Sequence, residues 1–555
     1  MITGSFAEFR KYYFHRGLDF ATEGRTGVPI QALTSGKIAT IQSLRYSIGN
    51  AIILKHDDGF SSRYGHMEKF SEKVLTNLPE PIRKKIQDRE DFVAEILPDS
   101  EIKIEKGEVI GYSGDTGIGP AHLHVELFKE DHYYNPADFL DTSSQSGDLF
   151  VTELTFQPLN GESFLNGSHL PLRVKLNKSG KDYIPVDKNP ILIKGNAGIY
   201  LSGYQKSGRA NRIGFQKIQV LLNKELLQTL DFSKIPSHQM IRSCFVFDNF
   251  KSKMSGRPFR YTLFLREEKA LDVFQNSLKH SGVIQSDKII PGQTNQIELN
   301  LQGLNKIESK VILTLESDTK DYPPIQSTEK IFNVYPNTFN SIFSEDRIAE
   351  AFFPAHSVFS SEYFTVTQKD LKYSEPGITQ ITPVYGVRPD FREFDKGYEL
   401  YLRLAPPPAK LPEKIGLYSV NSKGVILSYL PFASLNTISH IFKHHSRTTG
   451  YYAVFTDHSP PKINVIGYNS GHTFNNSNFR LLLRGRDSGS GIPQNGITVT
   501  IDGNPAKVDY EPEKMYYEVF SPDSIRNKGF HRLEAIAKDY MGNESEKLIF
   551  EYTVQ

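Results

Sequence analysis

Apolar and polar residues alternate along most of this chain, the pattern of strands with one buried face. The run "VPIQALTSGKIATIQ" (28–42) predicts two strands around Ser35-Gly36. The run "NAIILKHDDGFSSRYGHM" (50–67) predicts a strand, a turn at Asp58-Gly59 and a second strand. Residues 68–105 break the alternation. There "EPIRKKIQDREDFVAEIL" (80–97) is charged, with apolar residues at helical spacing, and predicts a helical insertion. From Lys106, "KGEVIGYSGDTGIGPAHLHVELF" returns to strand, glycine-rich loop and strand.

The composition changes at "NPADFLDTSSQSGD" (135–148), where Ser, Asp and Gly cluster as at a linker. Beyond it the pattern is β-type to the end. Residues 211–232 alternate in two runs around an Asn-Lys turn, and residues 294–317 repeat that arrangement. Pro460-Pro461 marks a further boundary. No fixed repeat period is present, which argues against a propeller or solenoid. The expected architecture is mainly β: an N-terminal antiparallel β domain over 1–147, with 68–105 inserted, followed by several sandwich domains. Those are placed at 148–270, 341–459 and 460–555, with 271–340 a β-rich segment that a neighbouring domain can absorb. The last resembles an immunoglobulin-like module, since "DSGSGI" and "DYMGN" suit turns between its strands.

At 555 residues the chain is too long for one core. Its 65 basic residues balance 64 acidic ones, which argues against a general nucleic-acid or anionic-membrane binder and leaves room for a local patch. Cys244 is the only cysteine, so neither an internal disulfide nor a cysteine-based zinc site is available. No apolar run reaches about 18 residues, so no transmembrane helix is expected. The opening "MITGSFAEFRKYYF" has no signal-peptide core.

Three stretches carry candidate chemistry. In a strand, "HLHVE" puts His122, His124 and Glu126 on one face and Leu123, Val125 and Leu127 on the other. "HRGLD" offers His15 and Asp19 four residues apart around Gly17, and alternation in "SSRYGHM" puts Tyr64 and His66 on one face. Zinc accepts imidazole nitrogen and carboxylate oxygen, and a catalytic site keeps one of four positions for water. His15, Asp19 and one histidine of the pair supply three ligands; the other histidine and His66 then face the open position as proton carriers. Spacing alone does not say which histidine of the pair does which.

The order HxxxD, YxH, then HLH followed by Glu, with "KGEVIGYSGDTGIGPAHLHVE" before it, resembles the lysostaphin-type (LytM-like) zinc metallopeptidases. The opening "ITGSFAEFRKYYFHRGLDFAT" is similar to the variety with long β-rich tails in Gram-negative envelopes. The resemblance spans residues 2–140. It implies one zinc ion held by His15, Asp19 and His124, with His66 and His122 as catalytic histidines. It also implies an antiparallel β fold with the metal in a groove, and cleavage of the peptide crosslinks of peptidoglycan. A periplasmic or exported location follows, with an export signal upstream of this start. A protein partner in the envelope, met through the C-terminal β domains, is a further expectation. The alternative is a non-catalytic wall-binding protein that recognises crosslinks or activates another hydrolase. Related openings often carry a histidine where this chain has Tyr13, which either lines the groove or packs.

Other residues weigh less. Glu126 either orients a ligand or makes an ordinary structural hydrogen bond. His56 in "KHDDG" reads as a turn residue. His440, His444 and His445 have ligand spacing only if helical, and Asp502-Gly503 reads as a hairpin turn. Asp487 and Asp539 are calcium candidates, against the simpler reading as turn residues.

Overall fold

The alternating run His122–Lys129 is the central strand of the N-terminal sheet. It lies antiparallel between Gly17–Ala21 and Ser61–Phe70, with His124 opposite Asp19 on one side and Gly65 on the other. The order continues outward through Ile2–Gly4 on one edge, and through Asn50–Lys55, Gly36–Ser43 and Lys103–Ile104 on the other. The apolar face of the sheet closes on Ile38, Ile41, Ile52, Leu54, Tyr64 and Val125, all buried in one cluster. The opposite face of the central strand carries the histidines.

The computed structural model describes the chain apart from residues 11–12, 98–100, 143–146, 209–210, 249–258, 266–270, 276–280, 324–332, 359–360, 390–392, 476–478, 513 and 521–526. Part of the expected linker (143–146), part of the insertion (98–100) and the end of the expected 148–270 domain lie outside the described residues. The chain forms two units, Met1–Glu329 and Lys330–Gln555. It is β-rich throughout, as the alternation predicts. Among the described residues no helix is long and apolar enough to cross a membrane.

Among the described residues the insertion is helical only over its first half. The strand from Ser61 runs to Phe70, and the helices Glu72–Asn77 and Glu80–Gln87 follow. Phe92–Glu95 then returns as a strand against Gly36–Ser43. In "FVAE" the period is two: Phe92 is buried while Val93 is exposed. Helical spacing in the charged part therefore does not extend past Asp91.

The described residues of 149–317 form two sheets around one core. Leu154, Phe156, Ile199, Leu201 and Tyr261 come from one sheet, and Ile218, Val220, Leu299, Val311 and Leu313 from the other. Asn223 and Lys224 both take left-handed backbone (φ 51° and 71°), as a two-residue hairpin turn demands. Strands Asn295–Gln302 and Glu308–Ser317 belong to the same sheet as Lys217–Leu222. The core of this body also takes in Phe6, Ala7 and Phe14 from the N-terminal arm. His132–Tyr134 pairs with Lys234–Pro236, so the first sheet runs on into the second body. Phe14 N–H donates to Met240 O at 2.8 Å, and the Ser207 hydroxyl donates to Ile2 O at 2.6 Å.

The second unit has its own cores. One lies between a sheet containing Ala349–Phe353, Glu393–Arg403 and Ile441–Thr448 and a sheet containing Val384–Arg388, Ile415–Val420 and Tyr451–Asp457. The last belongs to eight strands between Lys462 and Val554. Asp502 and Gly503 form the expected hairpin turn, both at positive φ. The "HIFKHH" histidines lie at and within a strand, Ile441–Thr448, so helical ligand spacing does not arise. His56 is not a plain turn residue: it is buried, with Nδ1 2.9 Å from Ser35 O and Nε2 2.8 Å from the Ser62 hydroxyl.

Phe14 is fully buried, and its ring is 6.0 Å from that of Phe247 in the second body. Phe14→Ala is expected to destabilise the first unit by about 3–5 kcal/mol. Urea denaturation of the full chain, followed by limited proteolysis of the N-terminal arm, measures it.

Candidate metal centre

Three ligand-type atoms meet above the central strand. His15 Nε2 is 3.2 Å from His124 Nδ1, His124 Nδ1 is 2.8 Å from Asp19 Oδ1, and Asp19 Oδ1 is 3.1 Å from His15 Nε2. All three residues are buried. The groups behind them fix their chemistry. His15 Nδ1 is 2.7 Å from Ser5 O, which only accepts, so Nδ1 carries the hydrogen. His124 Nε2 is 3.2 Å from Glu126 Oε1, and Glu126 is itself held by Arg63 at 2.6 Å. His15 therefore offers Nε2 inward, and His124, with a carboxylate at each ring nitrogen, offers Nδ1 inward when Glu126 takes the hydrogen at Nε2; the two nitrogens face each other and Asp19. Three lone pairs converge on one point, which is stable only around positive charge.

A divalent ion fits that point. Tetrahedral zinc with bonds of about 2.0–2.1 Å keeps its ligands about 3.3 Å apart, close to the spacing here. The electrostatics agree. Burial alone would lower the His124 imidazole, but hydrogen bonds to Asp19 and Glu126 outweigh it and push the pKa up to about 9. Burial would raise Asp19, yet the charge of His15 and the hydrogen bond from His124 hold it well below the carboxylate range. Glu126 is held at about 2 against its burial by His124 and Arg63.

Two more imidazoles flank the cluster. The His66 ring lies 4.3 Å from that of His122 and 5.8 Å from that of His124. His66 Nδ1 donates to Thr116 O at 2.8 Å, and His122 Nδ1 donates to Pro120 O at 2.6 Å. Each ring therefore keeps Nε2 for the cleft; His122 Nε2 is 3.7 Å from Asp19 Oδ1. Burial, with the charges of His122 and His124, pulls His66 down to about 3, and burial lowers His122 as well. Both enter any reaction as neutral rings.

The glycine-rich loop holds the two carbonyls that orient these rings. Gly49 and Gly117 are both left-handed, and a Cβ on Gly49 would sit 2.3 Å from Thr116 O while one on Gly117 would sit 2.4 Å from Ser47 O. The loops thus touch backbone to backbone, and the Thr116 hydroxyl bridges them by donating to Met67 O and accepting from Asn50 N–H.

His15, Asp19, His66, His122 and His124 are all brought together. Tyr64 is not: it is buried in the apolar core, its hydroxyl oxygen accepting from the Ser62 hydroxyl at 3.2 Å and from Leu33 N–H at 2.9 Å. The expected shared face fails because His66 has φ +60°, a left-handed residue that turns its side chain out of the alternation. Tyr13 is partly exposed. Spacing did not reveal Ser5, Glu8 or Arg10. Arg10 Nη2 donates to Asp19 Oδ2 at 2.6 Å, and its Nη1 pairs with buried Glu8 at 2.8 Å. The i,i+2 pair Glu8/Arg10 in an extended segment was the only available sign.

Residues 13–78 match the model of peptidase family M23. The N-terminal domain is similar to the M23 peptidases. The match ends within the inserted segment, before His122. Among curated relatives, glycyl-glycine endopeptidase ALE-1 of Staphylococcus capitis is 30% identical over 135 residues, 23% of this chain and 30% of its own length. Lysostaphin of Staphylococcus simulans is 30% identical over 135 residues, 23% of this chain and 22% of its own. DD-carboxypeptidase/endopeptidase Mpg of Neisseria meningitidis is 29% identical over 124 residues, 22% of each chain. The similarity thus spans less than a third of each relative. Among solved structures, LytU is 26% identical over 25% of this chain and 83% of that one, with a TM-score of 0.19. A zinc containing peptidase from Vibrio cholerae is 22% identical over 24% of this chain and 35% of that one, with a TM-score of 0.17.

Glu126→Gln keeps the shape but weakens the partner of His124 Nε2–H. It is expected to lower divalent-metal affinity about 10–100-fold, measured by competition with a chromogenic chelator.

Proposed function

We propose that residues 1–147 are a zinc-dependent endopeptidase acting on the peptide crosslinks of bacterial peptidoglycan, in the periplasm or outside the cell. The observation that carries this reading is the convergence of two bare imidazole nitrogens and one carboxylate oxygen, with two further imidazoles beside them. The names of the relatives, a glycyl-glycine endopeptidase and a DD-carboxypeptidase/endopeptidase among them, support the reaction class and the wall substrate.

His15 Nε2, Asp19 Oδ1 and His124 Nδ1 would hold the ion. Zinc bound there acidifies water and polarises a peptide carbonyl. Ser5 and Glu126 keep the ligand lone pairs aimed inward, and Arg10 holds the second oxygen of Asp19, so neither ring nor carboxylate needs to reorganise. His66 and His122, neutral and fixed through Nδ1, accept at Nε2 the proton of the attacking water. Once protonated, the same nitrogens donate to the developing oxyanion and to the leaving amine. Because these two rings are held by backbone carbonyls on the glycine-rich loop, loss of either leaves the ion's three holders in place.

His124→Ala is expected to lose zinc, measured by elemental analysis of the purified chain. His122→Ala and His66→Ala are expected to keep most of the zinc and to lose about 10²–10⁴-fold in turnover, measured by mass spectrometry of digested crosslinked muropeptides. Equal zinc loss in His122→Ala would move that residue among the holders. A zinc-loaded wild-type chain that cuts no crosslinked fragment would favour the wall-binding or regulatory alternative instead. Chelator treatment should abolish cleavage, and stoichiometric zinc should restore it.

A further inference from the structure

The second unit contains a cluster of oxygen donors remote in sequence from the peptidase motifs. Asp457 ends the strand Tyr451–Asp457, Asp487 follows the strand Leu481–Arg486, and Asp539 follows Gly529–Ala537. One carboxylate oxygen from each lies within 4.8 Å of the others. Asp457 and Asp539 are buried and Asp487 partly so. Among the described residues none of the three is ion-paired with Lys, Arg or His. The nearby Lys414 ammonium instead donates to the side-chain oxygen of Asn543.

Acidic clusters are common, but this one has unmet oxygens around it. The Tyr418 hydroxyl is fully buried and has no hydrogen-bond partner. Burial, then the charge of Asp457, and with it those of Asp487 and Asp539, push its phenol up, which puts the hydroxyl in the field of all three carboxylates. The Ser490 hydroxyl, on a residue only 3% exposed, and Asp487 Oδ1 are likewise buried without partners. The chain also makes room for close approach: a Cβ on Gly489 would lie 2.2 Å from Asp457 Oδ2. The remaining carboxylate oxygens are positioned by N–H donors from Ser459, Ser490, Gly489, Gly491 and Asn543.

We propose that Asp457, Asp487 and Asp539 bind one calcium ion between the last two β domains, with the Tyr418 and Ser490 hydroxyls beside it. Every donor is a hard oxygen, which disfavours zinc. One oxygen from each carboxylate lies within 4.8 Å of the others, close enough to share an ion, and a buried all-protein oxygen cage suits calcium better than magnesium, which sheds its waters reluctantly. The ion joins the end of one domain to two loops of the next across Pro460-Pro461.

The test uses the full chain, stripped with chelator, reloaded with zinc and titrated with calcium chloride. One calcium per chain is expected, with Kd of roughly 10⁻⁴–10⁻³ M as in extracellular modules, and little response to magnesium. Saturating calcium should raise the thermal midpoint of the second unit by roughly 5 °C. Asp487→Asn should weaken calcium at least about tenfold, while raising the midpoint in calcium-free buffer because one repelling charge is gone. Tyr418→Phe, which removes only a hydroxyl, should also weaken calcium and serves if Asp487→Asn fails to fold. Asp19→Ala must leave the calcium stoichiometry at one. No calcium-dependent shift in the wild type, or the same affinity in Asp487→Asn and Tyr418→Phe, overturns the proposal.

Discussion

Three lone pairs cannot be packed together in a buried pocket unless something positive sits among them. Here Ser5 O takes the hydrogen of His15 from behind, and Glu126 Oε1 stands behind His124 to take one there, so both rings can turn a lone pair inward. The rest of the first unit serves that arrangement. The central strand supplies His124 and Glu126 from one face, its neighbour supplies Asp19 opposite His124, and the alternate residues seal the core below.

The precision of the pocket depends on structure outside the sheet that holds Asp19 and His124. Ser5 not only faces His15; its hydroxyl accepts from Gly214 N–H in the second body at 2.9 Å. Arg10, which holds Asp19, belongs to the same N-terminal arm, and that arm is wedged by Phe6 and Phe14 into the core of the second body. The body that follows the N-terminal domain therefore braces the arm that holds His15 and Asp19.

Much of this was legible in the chain. "HLHVE" shows its two faces because the strand period is two, and the HxxxD stretch announces a converging imidazole and carboxylate. What failed has physical causes. Tyr64 and His66 part company because a single left-handed residue resets the alternation, and a backbone angle leaves no mark in residue type. Ser5, Thr116 and Pro120 act through main-chain carbonyls, which every residue has. His56 resembled a turn residue because its neighbours are Asp-Asp-Gly, yet its ring bridges Ser35 and Ser62 in the interior. The aspartates at 487 and 539 were visible, but Asp457 joins them only through tertiary structure.

The pairing of His132–Tyr134 with Lys234–Pro236 makes one hydrogen-bonded ribbon out of two bodies. A chain cut at the linker would present that ribbon as a naked edge, with aromatic residues of the arm bare beside it, and naked edges recruit other chains. Swapping this tail for that of a relative therefore means regrafting a strand register, and a pull on the tail is delivered directly to the sheet that bears Asp19 and His124.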